Sequence, residues 1–192
     1  MHRFGEGPYH VEFKINNKGK TDYFTVETAP NELMPHSVFT FMDMVDRKVW
    51  DNSVFIHKWD HIVQAAPITP DGQNRRDEVD GVLSFPEYSE EFKHDQYTVG
   101  FSGRPGGPEF YINLTDNDAS HGPGRQDHST ILHDADPCFA KIVRGKEAID
   151  RLKHTSLEAI NTGDEDGIAF SSIDSVKMIR PIRNEKAQAL PS

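Results

Sequence analysis

The chain has 192 residues, of which 31 are acidic and 21 basic, so its formal net charge is −10. This charge disfavours a nucleic-acid binder and a protein that docks on an anionic membrane, because both use basic surfaces. The single cysteine excludes an intrachain disulfide, and no apolar run reaches the roughly 20 residues that span a bilayer. The 12 Phe, 5 Tyr and 2 Trp residues are typical of a chain with a packed core.

The first part of the chain predicts a β-hairpin followed by a helix. Apolar residues alternate with polar ones in residues 9–15 and cluster again in residues 23–28, with the turn sequence Asn-Asn-Lys-Gly between them. From Pro35 the apolar spacing changes to three and four, which is the period of an amphipathic helix. The apolar face of this helix consists of Val38, Phe41, Met42, Val45 and Val49.

The rest of the chain predicts short strands separated by turns, and one further helix at residues 146–154. The polar segment 69–80 is expected to be an exposed loop, and the acidic run 87–91 a solvated surface. The polar segment 115–136 is expected to be a long loop, of a kind that is often functional. Strands are indicated around Phe55 and in residues 62–64, 82–85, 97–102, 110–114, 138–143 and 168–182.

About eight strands and two helices that do not alternate with them predict a mainly β fold. We expect a closed antiparallel eight-stranded barrel capped by two α-helices. Residues 1–8 would form an N-terminal extension, residues 9–182 the domain, and residues 183–192 a C-terminal tail. The N-terminus lacks the apolar stretch of a secretion signal. We therefore expect a soluble, monomeric protein, cytoplasmic or, if a targeting or anchor segment has been removed, luminal.

Several short motifs occur in a fixed order between residues 9 and 182. They are the helix start at Pro35, the approach Trp50-Asp-Asn-Ser-Val-Phe55, Gln64, Pro108-Glu-Phe-Tyr-Ile112, and Cys138-Phe-Ala-Lys-Ile-Val-Arg-Gly145. In order and spacing they resemble the cyclophilin-type peptidyl-prolyl isomerase family. The resemblance implies the barrel described above and catalysis of rotation about X–Pro bonds, a reaction that needs no cofactor and no metal.

The resemblance implies three catalytic features: an Arg whose guanidinium donates towards the prolyl amide, an apolar pocket for the proline ring, and a Gln that orients the peptide. At the Arg position this chain has His57, with Lys58 beside it, and neither side chain offers a planar fork of five donors. Gln64 matches the family's Gln. The candidate catalytic residues are therefore His57, Lys58 and Gln64.

The substrate groove that the resemblance implies contains further replacements. His61 stands in place of a pocket Phe, Glu109 in place of a Gln, and Tyr111 in place of a second Phe. The family's pocket Trp has no counterpart, and its pocket His corresponds to His133 or Asp136. The predicted groove residues are His61, Ser102, Glu109, Phe110, Tyr111, His121 and His133.

Three functions stay open at this point. The first is a domain that binds proline-containing peptides or proteins, with weak or absent isomerase activity, because transition-state hydrogen bonds are lost with the Arg. The second is an active isomerase with a substitute donor, namely His57, Lys58 or Arg104. The third is a His-rich metal-binding module that includes His57 and His61. Their spacing fits no fixed zinc signature, so we expect no bound metal.

Overall fold

The structure, a computed structural model, describes residues 3–78, 83–123, 134–156 and 169–179. Its strands are β1 (His10–Asn17), β2 (Lys20–Thr28), β3 (Ser53–Lys58), β4 (Ile62–Ala66), β5 (Thr98–Phe101), β6 (Phe110–Asn113), β7 (Cys138–Arg144) and β8 (Ser171–Ile179). Its helices are α1 (Pro35–Asp46), α2 (Asp118–His121) and α3 (Lys146–His154), and a 3-10 turn covers Arg76–Glu78. Within these described residues, no helix has the length and apolar character needed to cross a membrane.

The strands close into an antiparallel barrel in the order β1-β2-β7-β5-β6-β4-β3-β8, with β8 returning to β1. This confirms the predicted eight-stranded barrel. The β1–β2 hairpin keeps a regular register from His10 opposite Glu27 to Asn17 opposite Lys20. Its two-residue turn has positive φ at Lys18 and at Gly19, which is the backbone geometry of the turns that suit a hairpin's twist.

Several local expectations differ from the structure. Val49, predicted on the apolar face of α1, is buried three residues beyond the end of that helix at Asp46. The short helix α2 lies inside the segment 115–136 that the sequence predicted as a loop, because four residues are too few to show a helical period. The strand expected at residues 82–85 is not formed: residues 83–85 are irregular, and residue 82 lies outside the described residues. The amide of Leu83 instead donates to the carbonyl of Gly106, at 3.0 Å.

Aromatic side chains fill the barrel interior. Phe13 stacks on Phe24 with ring centroids 4.6 Å apart, and Phe110 meets Trp50 edge to face, also at 4.6 Å. Each of these four side chains is almost completely buried. An interior packed in this way leaves no room for a ligand, so a binding site has to lie on the outer surface of the barrel.

The two longer helices pack their apolar faces on the barrel, as the spacing predicts. Helix α1 buries Val38, Phe41, Met42 and Val45, and helix α3 buries Ala148, Ile149 and Leu152. Gly145 precedes α3 with a φ of +76°, and a Cβ at this position would lie 2.2 Å from the carbonyl oxygen of Tyr23. Only glycine permits this close approach between the start of α3 and strand β2.

Glu87 corrects the expectation that residues 87–91 form a solvated surface. Its side chain is buried, and its carboxylate accepts hydrogen bonds from the backbone amides of His36 and Ser37, at 3.0 and 2.7 Å, and from the Ser37 hydroxyl at 2.5 Å. The first turn of α1 has no cap from its own sequence neighbours. A carboxylate distant in sequence therefore satisfies the orphan donors of this helix.

Candidate functional site

Strand alternation places the candidate residues on the outer face of β4, β5 and β6. On β4, Val63 and Ala65 point into the core, whereas Gln64 points outward. The same alternation on β6 turns Tyr111 outward, between two core residues. Register then aligns one residue from each of four neighbouring strands in a single row, made of His57, Gln64, Tyr111 and Gly100.

Phe110 does not belong to this row. Its ring lies inside the barrel and contacts Trp50, Phe13 and Phe55. Its sequence neighbour Tyr111 faces the opposite side of the sheet, because successive residues of a strand alternate between faces. The expectation that Phe110 lines the groove is therefore corrected: it is a core residue.

A β-bulge in β3 brings His57 opposite Gln64. Phe55 pairs with Ala65, and the next pair along the strands is His57 with Gln64, so Ile56 is the extra residue. Paired residues on neighbouring strands share a face, which places the His57 imidazole beside Gln64. The ring stacks on Trp59 with centroids 4.8 Å apart, and the Trp59 side chain is about half exposed. Sequence reasoning missed Trp59, although the alternation of His57, Trp59 and His61 is a signal that the sequence contains.

Lys58 lies on the other face of β3. It pairs with the core residue Val63, and its ammonium group donates to the carbonyl of Thr155 and lies 5.9 Å from the ring centre of Phe170. The structure does not bring Lys58 to Gln64, so its geometry gives no support to the candidate catalytic role.

A carboxylate joins Gln64 to an arginine at the edge of the row. Glu109 Oε2 accepts a hydrogen bond from Gln64 Nε2, and Glu109 Oε1 accepts from Arg76 through Nε, at 2.9 Å, and through Nη2. Ser102 lies beside this group, since its backbone amide donates to the Glu109 carbonyl at 2.9 Å. Sequence reasoning missed Arg76, because it belongs to a polar segment with no periodic pattern.

A buried polar cluster lies next to Tyr111. Oδ2 of Asp136 lies 2.6 Å from His121 Nδ1 and accepts from the Tyr111 hydroxyl at 3.3 Å, while Oδ1 accepts from Arg104 Nε at 2.8 Å. All four residues are buried or nearly so. Burial, together with the negative charge of Asp136, raises the pKa of Tyr111 well above its usual value.

Arg104 connects this cluster to the neighbouring backbone through hydrogen bonds. Besides Asp136, its guanidinium donates to the backbone carbonyls of Asp134, His121 and Gly122, at 2.8, 3.0 and 3.2 Å. These contacts tie the β5–β6 loop to α2 and to the approach to β7. Arg104 was the third possible substitute donor, and its guanidinium is held by Asp136 and by three backbone carbonyls.

Aromatic and imidazole rings continue from the cluster towards the surface. The ring centre of His121 lies 4.7 Å from Tyr111, 5.7 Å from His61 and 5.9 Å from His94. Burial, with the nearby His121, lowers the pKa of His61. The Tyr111 ring occupies the space that a side chain at position 100 would need, because a Cβ on Gly100 would lie 2.7 Å from the Tyr111 hydroxyl. This shows why glycine is needed under the ring.

His94 is a buried member of this cluster that sequence reasoning missed. Neither ring nitrogen has a hydrogen-bond partner in the described part of the chain, and Asp118 Oδ1 lies 3.7 Å from Nδ1, beyond hydrogen-bond distance. Burial, with a smaller effect of His121, lowers the pKa of His94 to about 4. The surrounding sequence is polar and non-periodic, so no sequence signal identifies a core position.

Residues that could hold a metal ion are not brought together in the described ranges. No group of three or more His, Cys, Asp or Glu residues there has a suitable arrangement. His57 and His61, which the metal hypothesis used, stand on either side of Trp59 in a stack of rings. His133, a predicted groove residue, lies outside the described residues.

Comparisons with known proteins agree with this fold. Residues 10–177 match a family model described as cyclophilin type peptidyl-prolyl cis-trans isomerase/CLD. A solved cyclophilin-type isomerase from Cryptosporidium parvum superposes with a TM-score of 0.65 at 15% identity, covering 90% of this chain and 98% of that one. The same Cryptosporidium enzyme in the presence of the dipeptide Ala-Pro gives a TM-score of 0.62 at 16% identity, covering 89% and 99%. No curated protein sequence matches the chain.

Proposed function

Because the chain belongs to the cyclophilin-type peptidyl-prolyl isomerase family, we propose that it binds proline-containing peptide segments on the outer face of β3, β4 and β6, with weak or absent isomerase activity. The observation that carries this proposal is the His57–Gln64 pair. The peptide-orienting Gln is kept, while an imidazole stands at the position opposite it.

Peptide binding is supported by the groups that the outer face retains. Gln64 has its amide oriented by Glu109, so its carbonyl oxygen is the atom directed away from that carboxylate and able to accept a peptide N–H. Trp59 presents an exposed indole beside it, the kind of surface on which proline-rich segments pack. The related Cryptosporidium structure was obtained in the presence of Ala-Pro, which is in keeping with a prolyl ligand.

Weak catalysis follows from the donors at the site. Rotation about an X–Pro bond crosses a barrier of about 18–20 kcal/mol, and a catalyst lowers it by stabilising the twisted amide. A neutral imidazole has one N–H, whereas a guanidinium has five in a fixed fork. Loss of such donors typically costs about a hundredfold or more in rate.

The neighbouring cluster supports the same conclusion about the proline subsite. His61, His121, Tyr111 and Asp136 bring polar atoms to a place where the family has an apolar pocket. Apolar rings gain less free energy from a polar surface than from an apolar pocket. We therefore expect a prolyl peptide to bind weakly.

The proposal is tested by nuclear magnetic resonance with the peptides Ala-Ala-Pro-Ala and Ala-Ala-Ala-Ala. With the prolyl peptide we expect shifts of the Gln64 side-chain amide and the Trp59 indole N–H, and none at Trp50, which is fully buried and serves as an internal reference. Exchange spectroscopy on the same sample measures cis–trans interconversion. Absence of shifts at both reporters overturns the binding proposal, and a rate thousands of times the spontaneous one overturns the weak-activity proposal.

An active isomerase with a substitute donor is the second candidate, and one observation favours it. His57 is the donor that the bulge places opposite Gln64, whereas Lys58 and Arg104 are directed elsewhere. If His57 is that donor, a His57→Leu variant loses the catalysed exchange while its Gln64 amide still shifts with peptide. Unchanged exchange in this variant excludes the imidazole as the catalyst.

A further inference from the structure

Glu109 places a negative charge at the edge of the proposed peptide site. Both carboxylate oxygens are engaged: Oε2 accepts from Gln64, and Oε1 accepts from Arg76. The Glu109 side chain is 18% exposed and that of Arg76 is 25% exposed, so the ion pair is mostly shielded from water but reachable from the surface. A carboxylate in this environment needs a cation close by.

Arg76 reaches Glu109 from a segment that is anchored elsewhere. Its neighbour Arg75 donates through Nη1 to the carbonyls of Lys48, Val49 and Asp51, at 3.2, 3.2 and 3.1 Å, and pairs with Glu78. Arg75 therefore fixes the backbone of the 3-10 turn independently of the Arg76 side chain. Movement of the Arg76 guanidinium away from Glu109 would leave this anchor in place.

We propose that Glu109 is a specificity-determining residue that binds a Lys or Arg side chain adjacent to the proline of the bound segment, and that Arg76 occupies this subsite in the unliganded protein. This inference rests on the proposed function. The ligand class is therefore a basic, proline-containing peptide. Arg76 acts as an internal substitute for the ligand's cation and is displaced by it.

Charge complementarity supports a basic ligand over an acidic one. The chain has a formal net charge of −10, so basic peptides are attracted to it and acidic peptides are repelled. Gln64, which belongs to the peptide face, is hydrogen-bonded to the same carboxylate. A ligand cation bound to Glu109 would therefore lie next to Gln64, the residue proposed to orient the peptide backbone.

The preference for a basic peptide over a neutral one depends on whether the ligand's cation has to displace Arg76 from Glu109. In the wild-type protein a ligand guanidinium or ammonium replaces Arg76 on the same carboxylate, so the net gain is small. When Arg76 is replaced by Gln, the carboxylate loses its internal cation and gains more from a ligand that supplies one. The preference for a basic ligand should then grow to about tenfold.

The test uses three heptapeptides that share a central Ala-Pro and carry Lys, Gln or Glu on both sides of it. Dissociation constants are measured by the Trp59 and Gln64 resonances at low salt for the wild type, Arg76→Gln and Glu109→Gln. Lys177→Gln is the matched control, because it removes one positive charge from an exposed ion pair with Glu12 on the β1–β8 side of the barrel.

We expect the wild type and the Lys177 variant to prefer the Lys peptide over the Gln peptide by about twofold to threefold. Arg76→Gln should increase this preference to about tenfold, and Glu109→Gln should abolish it. Equal binding of the Lys and Gln peptides to Arg76→Gln overturns this inference alone. If the Glu peptide binds more tightly than the Gln peptide and this preference is lost in Arg76→Gln, the inference is also overturned. Arg76 would then be the residue that determines specificity. If no prolyl peptide binds at all, the proposed function fails and this inference fails with it.

Discussion

His94 should make the folding stability of this protein depend on pH in the acid range. Its folded-state pKa of about 4 lies below the usual value of 6.5, so the unfolded chain takes up a proton between these pH values and the folded protein does not. Stability from this group is complete above pH 6.5 and is lost as the pH falls towards 4. At pH 5 the loss amounts to about 2 kcal/mol relative to pH 7.

Replacing His94 with Phe should remove this pH dependence and stabilise the protein. A phenyl ring keeps the stacking against Tyr111 and His121 and carries no unpaired nitrogen, so we expect a gain of about 1–2 kcal/mol at pH 7 and a larger gain at pH 5. Urea unfolding at both pH values measures it. The exposed His154→Phe is the control. A difference between wild type and His94→Phe that is the same at both pH values contradicts the assignment.

Gly100 should not tolerate even a methyl group. A Cβ would lie 2.7 Å from Cζ and from the hydroxyl of Tyr111, so Gly100→Ala has to displace that ring from Asp136. We expect a loss of about 1–3 kcal/mol in the free energy of unfolding. In a Tyr111→Leu background the same change should cost less than half as much, because the obstructing atoms are gone. Equal costs in the two backgrounds would show that the ring is not the obstacle.

At the scale of the secondary-structure elements, helix α1 depends on a loop far away in sequence. Glu87 caps three donors of its first turn, so Glu87→Ala should destabilise the protein by about 2–3 kcal/mol. Chemical denaturation measures this loss. Glu90→Ala removes an exposed carboxylate from the same loop and should cost less than about 0.5 kcal/mol. Similar losses in the two variants would refute the capping role.

The strands and the longer helices could be predicted because their signals are local. Alternation marked β1 and β2, and the three-and-four spacing marked α1 and α3. The missed features have other causes. Helix α2 has only one turn, which is too short to show a period. Glu87 caps a helix about 50 residues before it in the sequence, which is a tertiary contact. No local pattern encodes such pairings.

For the candidate site, matching of motifs identified Gln64, Tyr111 and Glu109 but not the residues that hold them. Arg76 and His94 come from polar segments and meet the site only through the barrel's closure. A motif gives positions along the chain and not the direction of each side chain, so it could not show that Phe110 lies in the core or that Lys58 faces away from Gln64. The bulge at Ile56, which decides that His57 faces Gln64, is likewise a property of pairing between strands.

At the scale of the whole molecule, the barrel is complete, while several side chains on its outer face differ from those that the family resemblance implies. The register that aligns His57, Gln64, Tyr111 and Gly100 requires β3, β4, β6 and β5 as successive neighbours, and the structure has that order. A scaffold with this register should accept the missing guanidinium. The missing guanidinium and the polar proline subsite are then the two proposed causes of weak catalysis, and neither is a property of the fold.

This gives the last prediction, that His57→Arg gains isomerase activity. An Arg at this position can stack on Trp59 as the imidazole does, while its fork extends beside Gln64. We expect at least a tenfold rise in catalysed exchange of Ala-Ala-Pro-Ala with little change in stability. Lys58→Arg adds the same side chain one residue later, on the face occupied by Val63, and should gain nothing. Equal gains in both variants would show that a guanidinium acts from either face of β3, which contradicts the assignment to position 57. If neither variant gains, the polar cluster around Asp136 must limit catalysis as well, and the single-residue explanation fails.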